Sequence, residues 1–226
     1  MATTTKASAI GGSSSISASE ALIVQLLCGF GLAFALWVAD NVYSIHLVTE
    51  PSRTLFLIWI IELPIVILLY SRYRQNRKCC TYLRAVGRGL LALPVGAAIN
   101  FVGAVALGAP VTTQYIPKTV NWSLMMSLFT TVPASCVIGS SWADWRRIFA
   151  QTKPKGSIEY LICLPAHGAV IGGWFGAWPM PLDWERPWQE WPICVSYGAI
   201  TGYLVAMVAS IGFVVAHTRS CLPKRD

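Results

Sequence analysis

The sequence predicts an all-α membrane protein, a bundle of six transmembrane helices, and three observations carry that prediction. Only 12% of the residues are charged, about half the proportion usual in a soluble domain, and the mean hydropathy is +0.56. Apolar segments long enough to cross roughly 30 Å of hydrocarbon recur along the chain. The basic residues fall between those segments, alternately many and few.

The first element is polar. Residues 1–20 are rich in Ser, Thr, Ala and Gly, with Lys6 and Glu20 as the only charges, a composition expected of a disordered tail. A transit peptide would add arginine, and none is present. The apolar run that follows is long enough to span, so the tail is expected to be retained.

The six spans are placed near Ala21 to Val38, Thr54 to Tyr70, Arg88 to Leu107, Trp122 to Ser140, Tyr160 to Trp178 and Ile193 to Ala216. Together they form a membrane domain over residues 21–218, followed by a short basic tail, 219–226. Each span is expected to be helical, because a helix is the open-ended way to pair every backbone group in lipid. The second contains Glu62 and Pro64. The fourth is the weakest, because Thr130, Thr131, Pro133 and Ser135 interrupt its apolar run.

Orientation follows from the basic residues. Lys6, the six from Arg72 to Arg88, then Arg146, Arg147, Lys153, Lys155, Arg219, Lys224 and Arg225 share one side with the N-terminus. They are fourteen of the seventeen Lys and Arg residues, and only Arg53, Lys118 and Arg186 fall opposite. Both termini are therefore expected in the cytosol. The net charge of +7 is explained by this arrangement, and no nucleic-acid partner is expected.

The stretch between the last two spans is unlike the rest. Trp174, Trp178, Trp184, Trp188 and Trp191 crowd into it, with Pro179, Pro181, Pro187 and Pro192 between them and Asp183, Glu185, Arg186 and Glu190 as its charges. Proline interrupts helix and ladder alike, and tryptophan favours the headgroup layer. The expected result is a stiff surface at the face opposite the termini. Trp178, Pro181, Asp183, Trp184, Glu185, Arg186, Trp188 and Trp191 are its candidate contacts with a partner or lipid.

The run Pro-Leu-Asp-Trp-Glu-Arg-Pro-Trp-Gln-Glu-Trp-Pro-Ile at 181–193 resembles the signature loop of the PIG-F family. The likeness extends to Cys194 and to Gly198-Ala199-Ile200-Thr201-Gly202-Tyr203. The resemblance implies a non-catalytic partner subunit of the ethanolamine-phosphate transferases that build GPI anchors in the endoplasmic reticulum. It further implies that zinc and the phosphatidylethanolamine donor belong to the catalytic partner, so no cofactor and no catalytic residue are expected in this chain. Membrane lipid, including the GPI precursor, is a candidate ligand.

Small residues at four-residue spacing let membrane helices approach closely. Gly168, Gly172 and Gly176 form one such row on the fifth span and Gly198, Gly202, Ala206 and Ser210 another on the sixth. A third, Gly96, Asn100, Ala104 and Gly108, lies on the third span. Such rows serve internal packing or dock another protein's helix.

Glu62 and His167 lie near the middle of their spans, where an ionisable group usually faces the interior with a partner. With Asn100 they are the candidate buried polar groups, and as a midplane polar site they would suit the alternative of a small lipid or solute transporter; a further alternative is an intramembrane enzyme using Asp183, Glu185 and His46. One reading brings Glu62 and His167 together as a proton relay or headgroup contact; the other has Glu62 neutral, bonded to backbone freed by Pro64, and His167 satisfied separately. Asp183 with Glu185, and His46 with Asp40 and Glu50, are the carboxylate and histidine groups on the loop side. They lack the three-ligand pattern of a catalytic metal site, and Arg186 is expected to pair with the loop carboxylates. The seven cysteines suggest neither a disulfide framework nor a metal site. Cys79 and Cys80, just beyond the second span, are candidates for reversible S-palmitoylation.

Overall fold

The computed structural model describes residues 16–75 and 80–220. The described chain is helical, without strands, and its elements run α1 (Ala18–Asn41), α2 (Pro51–Arg72), α3 (Tyr82–Ala106), α4 (Ile116–Val137), the short α5 (Trp142–Trp145), α6 (Ser157–Ala177) and α7 (Ile193–Ser220). A five-residue π-turn, Arg146–Ala150, continues α5, and a 3-10 turn, Pro187–Gln189, interrupts the loop before α7.

Helix starts explain most of the boundary shifts. Ser17 accepts from the Glu20 amide while the Glu20 carboxylate accepts from the Ser17 amide. This reciprocal cap draws residues 18–20 into α1, inside the stretch expected as a tail. Thr81 caps α3 in the same position, so that helix begins six residues before its apolar run. Pro51 and Pro117 sit in the first turns of α2 and α4, where a missing N–H costs nothing.

Five of the helices are long and apolar enough to cross a membrane: α1, α2, α3, α6 and α7. The sixth long helix, α4, does not meet that measure, yet it runs unbroken through Thr130, Thr131 and Pro133. Its surroundings explain this. α4 packs against α2, α3, α6 and α7, and 14 of its 22 residues are buried. Three of its hydroxyls bond within the protein: Ser127 Oγ donates to the Leu93 carbonyl at 2.9 Å, Thr130 Oγ1 to that of Met126 at 2.7 Å and Thr131 Oγ1 to that of Ser127 at 3.0 Å. A helix enclosed by protein need not be apolar on every side.

The most extensive helix pair is α6 with α7. Cβ atoms added at Gly172 or Gly198 would collide with the carbonyl oxygen of the other residue, and one at Gly202 with the carbonyl of Gly168. One added at Gly176 would lie 2.5 Å from the Cys194 carbonyl. The two glycine rows therefore face each other at backbone contact. The third row divides: Gly96 fits against Ser127 and Thr131 of α4, whereas Asn100, Ala104 and Gly108 line a cavity. α1 closes the bundle against α2 and α7, where Gln25 Nε2 donates to Ser210 Oγ at 2.8 Å.

Candidate functional site: a buttressed tryptophan loop

The connection Trp178–Pro192 is held at three points. The first is within the loop. Gln189 is buried, and its amide nitrogen donates to the carbonyls of Pro179 (2.6 Å) and Leu182 (2.8 Å) while its oxygen accepts from the Arg186 amide at 2.9 Å. These bonds satisfy backbone groups that the prolines prevent from joining a helix. The second point is an ion pair to the start of α4, Lys118 Nζ to Glu190 Oε1 at 2.7 Å.

The third point is Trp191. Its indole N–H donates to Thr119 Oγ1 at 2.9 Å, and its ring lies 5.2 Å from that of Trp122, centroid to centroid. Trp191 is only 8% exposed, so it anchors the loop inward and is withdrawn from the outer surface. The peptide bond between Trp191 and Pro192 is cis.

What the anchored loop presents is aromatic. Trp184 is 56% exposed, and the half-buried Trp188 supports it edge to face at 6.0 Å. Trp178, 69% exposed, adjoins Phe175 and through it Trp174. Pro181, Asp183, Glu185 and Arg186 are also exposed. The expected internal ion pair of Arg186 with the loop carboxylates is absent among the described residues; backbone capping by Gln189 takes that role. Glu185 holds a positive φ of 49°, a turn conformation unusual for a residue with a side chain.

Beneath the loop lies a cavity of about 720 Å³ between α3, α4 and α6, with Met180 and Trp191 of the loop at its upper end. Asn100, one of its few polar side chains, already donates to the Gly96 carbonyl at 2.8 Å.

The structure does not join Glu62 to His167. Glu62 is fully buried and its carboxyl faces Gly31 of α1. The Cys28 thiol of α1 is the polar group beside it, but neither carboxyl oxygen makes a hydrogen bond of good geometry among the described residues, so the expected bond to backbone freed near Pro64 is not formed. His167 lies elsewhere: Nδ1 is 2.7 Å from the Cys163 carbonyl, Nε2 is 3.2 Å from that of Phe149, and the ring stacks on Phe149. A relay between the two is thereby replaced by separate local environments.

On the loop side, His46 pairs with Asp40 at 3.1 Å, both well exposed, and Glu50 with Arg53. Among the described residues no group of three His, Cys, Asp or Glu side chains is placed to hold a metal ion. Cys79 lies outside the described residues. Cys80 is buried, with its carbonyl accepting from Arg74 Nε at 2.8 Å, an unfavourable position for acylation.

At the opposite end, Arg147 makes the main electrostatic contact. It reaches both oxygens of Glu159, at 2.6 and 2.8 Å, and Asp144 at 2.8 Å. The Arg147 hydrogen bond holds the Asp144 carboxyl below its ordinary range, and its carboxylate partners raise the guanidinium further. This clamp ties α5 and its π-turn to the start of α6. Neither Gln189 nor Arg147 stands out in the sequence as a fixing residue.

The family model described as "GPI biosynthesis protein family Pig-F" matches residues 30–211, which takes in the whole bundle from mid-α1 to late α7. The chain belongs to the PIG-F family. It is 38% identical over 106 residues to the mouse protein named "GPI ethanolamine phosphate transferase, stabilizing subunit", covering 47% of this chain and 48% of that one. The human protein of the same name aligns to the same extent. A fission-yeast "PIGF/3-ketodihydrosphingosine reductase fusion protein" is 33% identical over 165 residues, 72% of this chain and 32% of its own length. The match thus spans about half the length of the mouse and human relatives. No solved structure matches the chain.

Proposed function

We propose that this PIG-F family chain is a non-catalytic subunit of the endoplasmic reticulum membrane. It stabilises and positions an ethanolamine-phosphate transferase that modifies mannose of GPI precursors. Both termini lie in the cytosol and the tryptophan loop in the lumen. The observation that carries this reading is the buttressed loop itself, anchored inward by Trp191 and Gln189 and exposing Trp178 and Trp184. Stiff aromatic side chains on a pre-ordered loop are the kind of surface that anchors a protein partner at low entropic cost. The names of the mouse and human relatives support the same assignment, and the basic residues crowding the opposite side support the orientation.

The test is affinity capture of the transferase from membranes. Trp184→Ala should leave the protein inserted and abundant and weaken capture more than tenfold, the effect of about 2 kcal/mol at one anchor. Asp183→Asn should weaken capture less. If either variant assembles fully with the transferase yet supports no transfer, the loop takes part in chemistry or substrate delivery and the subunit is not a scaffold. A glycosylation acceptor inserted at Thr113 should be modified in microsomes and one at Thr152 left bare; the reverse pattern would invert the orientation.

A further inference from the structure

The cavity under the loop has the dimensions and chemistry of a hydrocarbon site. Along α3 it runs from Ile99 to Leu107 and along α6 from Val170 to Ala177, which is about 10–12 Å of helix at 1.5 Å per residue. That is most of one leaflet of a bilayer whose core is roughly 30 Å thick. At about 30 Å³ for a water-sized group, a volume of about 720 Å³ holds roughly two dozen methylenes.

No ionisable side chain lines this space, so the part of any occupant inside it carries no charge. Of the polar side chains present, the Asn100 amide donates to the Gly96 carbonyl and the Trp191 indole to Thr119, while the Trp122 indole N–H is buried without a partner among the described residues. The volume itself comes from missing side chains. A Cβ at Gly103 would have no atom within 4 Å, and Gly103 is exposed at the rim. Leu107 beyond α3 and Val170, Ile171 and Trp174 of α6 line the same space and are exposed, so the cavity is open along that side.

We infer that this cavity is a lipid site that takes the acyl tails of one diacyl membrane lipid from the leaflet on the loop side. Its headgroup lies at the level of Met180 and Trp191. The inference does not depend on the transferase assignment, since it concerns the chain alone. With no charged group to select a headgroup, the occupant is a bulk glycerophospholipid, and an inositol phospholipid probe serves as the comparison.

The full chain is reconstituted in nanodiscs containing diacyl phosphatidylcholine with a mid-chain diazirine, or the matching phosphatidylinositol. It is then irradiated, and the lipid adducts are mapped. Adducts are expected on Met126 and Val195, which line the cavity and are otherwise buried. Gly103→Phe should reduce them at least fivefold, whereas Gly212→Phe, also in open space but on the far half of α7, should leave them unchanged. Gly103→Leu replaces the phenylalanine variant if that protein does not fold. Equal yields from the two probes are expected of bulk lipid, and a marked preference for the inositol probe would overturn that occupant. Adducts confined to outward residues such as Leu91 and Val208, or yields at Met126 and Val195 indifferent to Gly103 substitution, would overturn the site.

Discussion

Gly172 and Gly198 meet backbone to backbone, each occupying the space into which a side chain on the other helix would project. The contact leaves no room for compensation, because the obstructing atoms are carbonyls of the facing helix. Gly172→Leu or Gly198→Leu should therefore separate α6 from α7 and cost several kcal/mol, beyond the 1–3 kcal/mol usual for overpacking. Gly29→Leu, where a new Cβ meets nothing within 4 Å, should change stability by under about 1 kcal/mol. Unfolding in mild detergent checks the contrast. Equal effects at Gly172 and Gly29 would remove the close approach from the account.

Thr119 and Trp191 form a buried donor–acceptor pair. Thr119→Val should destabilise by about 1–3 kcal/mol, since it strands the indole N–H. Adding Trp191→Phe should recover part of that loss by deleting the stranded donor. A double-mutant cycle in denaturant reads the coupling, and strictly additive effects would mean that the bond does not hold the loop.

Glu62 presents the opposite case. Its carboxyl is buried without a hydrogen-bond partner among the described residues, and replacing such a group by an apolar one of similar shape is neutral or stabilising. Glu62→Leu is therefore expected to melt at or above the parent temperature, and Glu62→Gln below Glu62→Leu. A stable Glu62→Leu protein that no longer supports the transferase would reveal a functional role for the carboxyl. A strongly destabilised one would mean that the carboxyl has a polar partner.

The Arg147 clamp sets an acid limit for the 141–156 segment. Asp144 has its folded pKa lowered, chiefly by the Arg147 hydrogen bond. Its contribution is thus fully present above the unfolded value of about 3.9 and is lost as pH falls through the lower, folded value. Amide exchange in this segment should stay slow from pH 7 to 5 and accelerate only below about pH 4. Arg147→Lys, which loses the two-pronged contact with Glu159, should loosen the segment even at pH 7. Loosening of the parent between pH 7 and 5 would mean that the Arg147–Asp144 contact does not set the limit.

Much of this architecture was legible in residue order. Apolar length marks α1, α2, α3, α6 and α7, and four-residue glycine spacing marks the faces of α6 and α7. Partners across space were not legible. Nothing local tells that Gln189 will cap three backbone groups, that Trp191 will turn inward while Trp184 turns outward, or that Glu62 will face Gly31. The Gln189 bonds, although local, depend on how the loop folds back on itself; the other two depend on Thr119, some 70 positions away, and on a neighbouring helix. The cavity was equally hidden, because its lining comes from residues far apart in the chain, on α3, α4 and α6.

The polar, enclosed α4 also constrains how the protein is made. Its hydroxyl-bearing stretch is less favourable to leave in lipid than the flanking helices, and its bonding partners lie on α3 and on α4 itself. As synthesis proceeds, α4 becomes well accommodated only beside α2 and α3, and it remains open on its far side until α6 and α7 arrive. Biogenesis is then a cooperative event spread over the whole chain. Substitutions on the face of α6 that meets α4 are expected to appear as failed insertion and early degradation of α4.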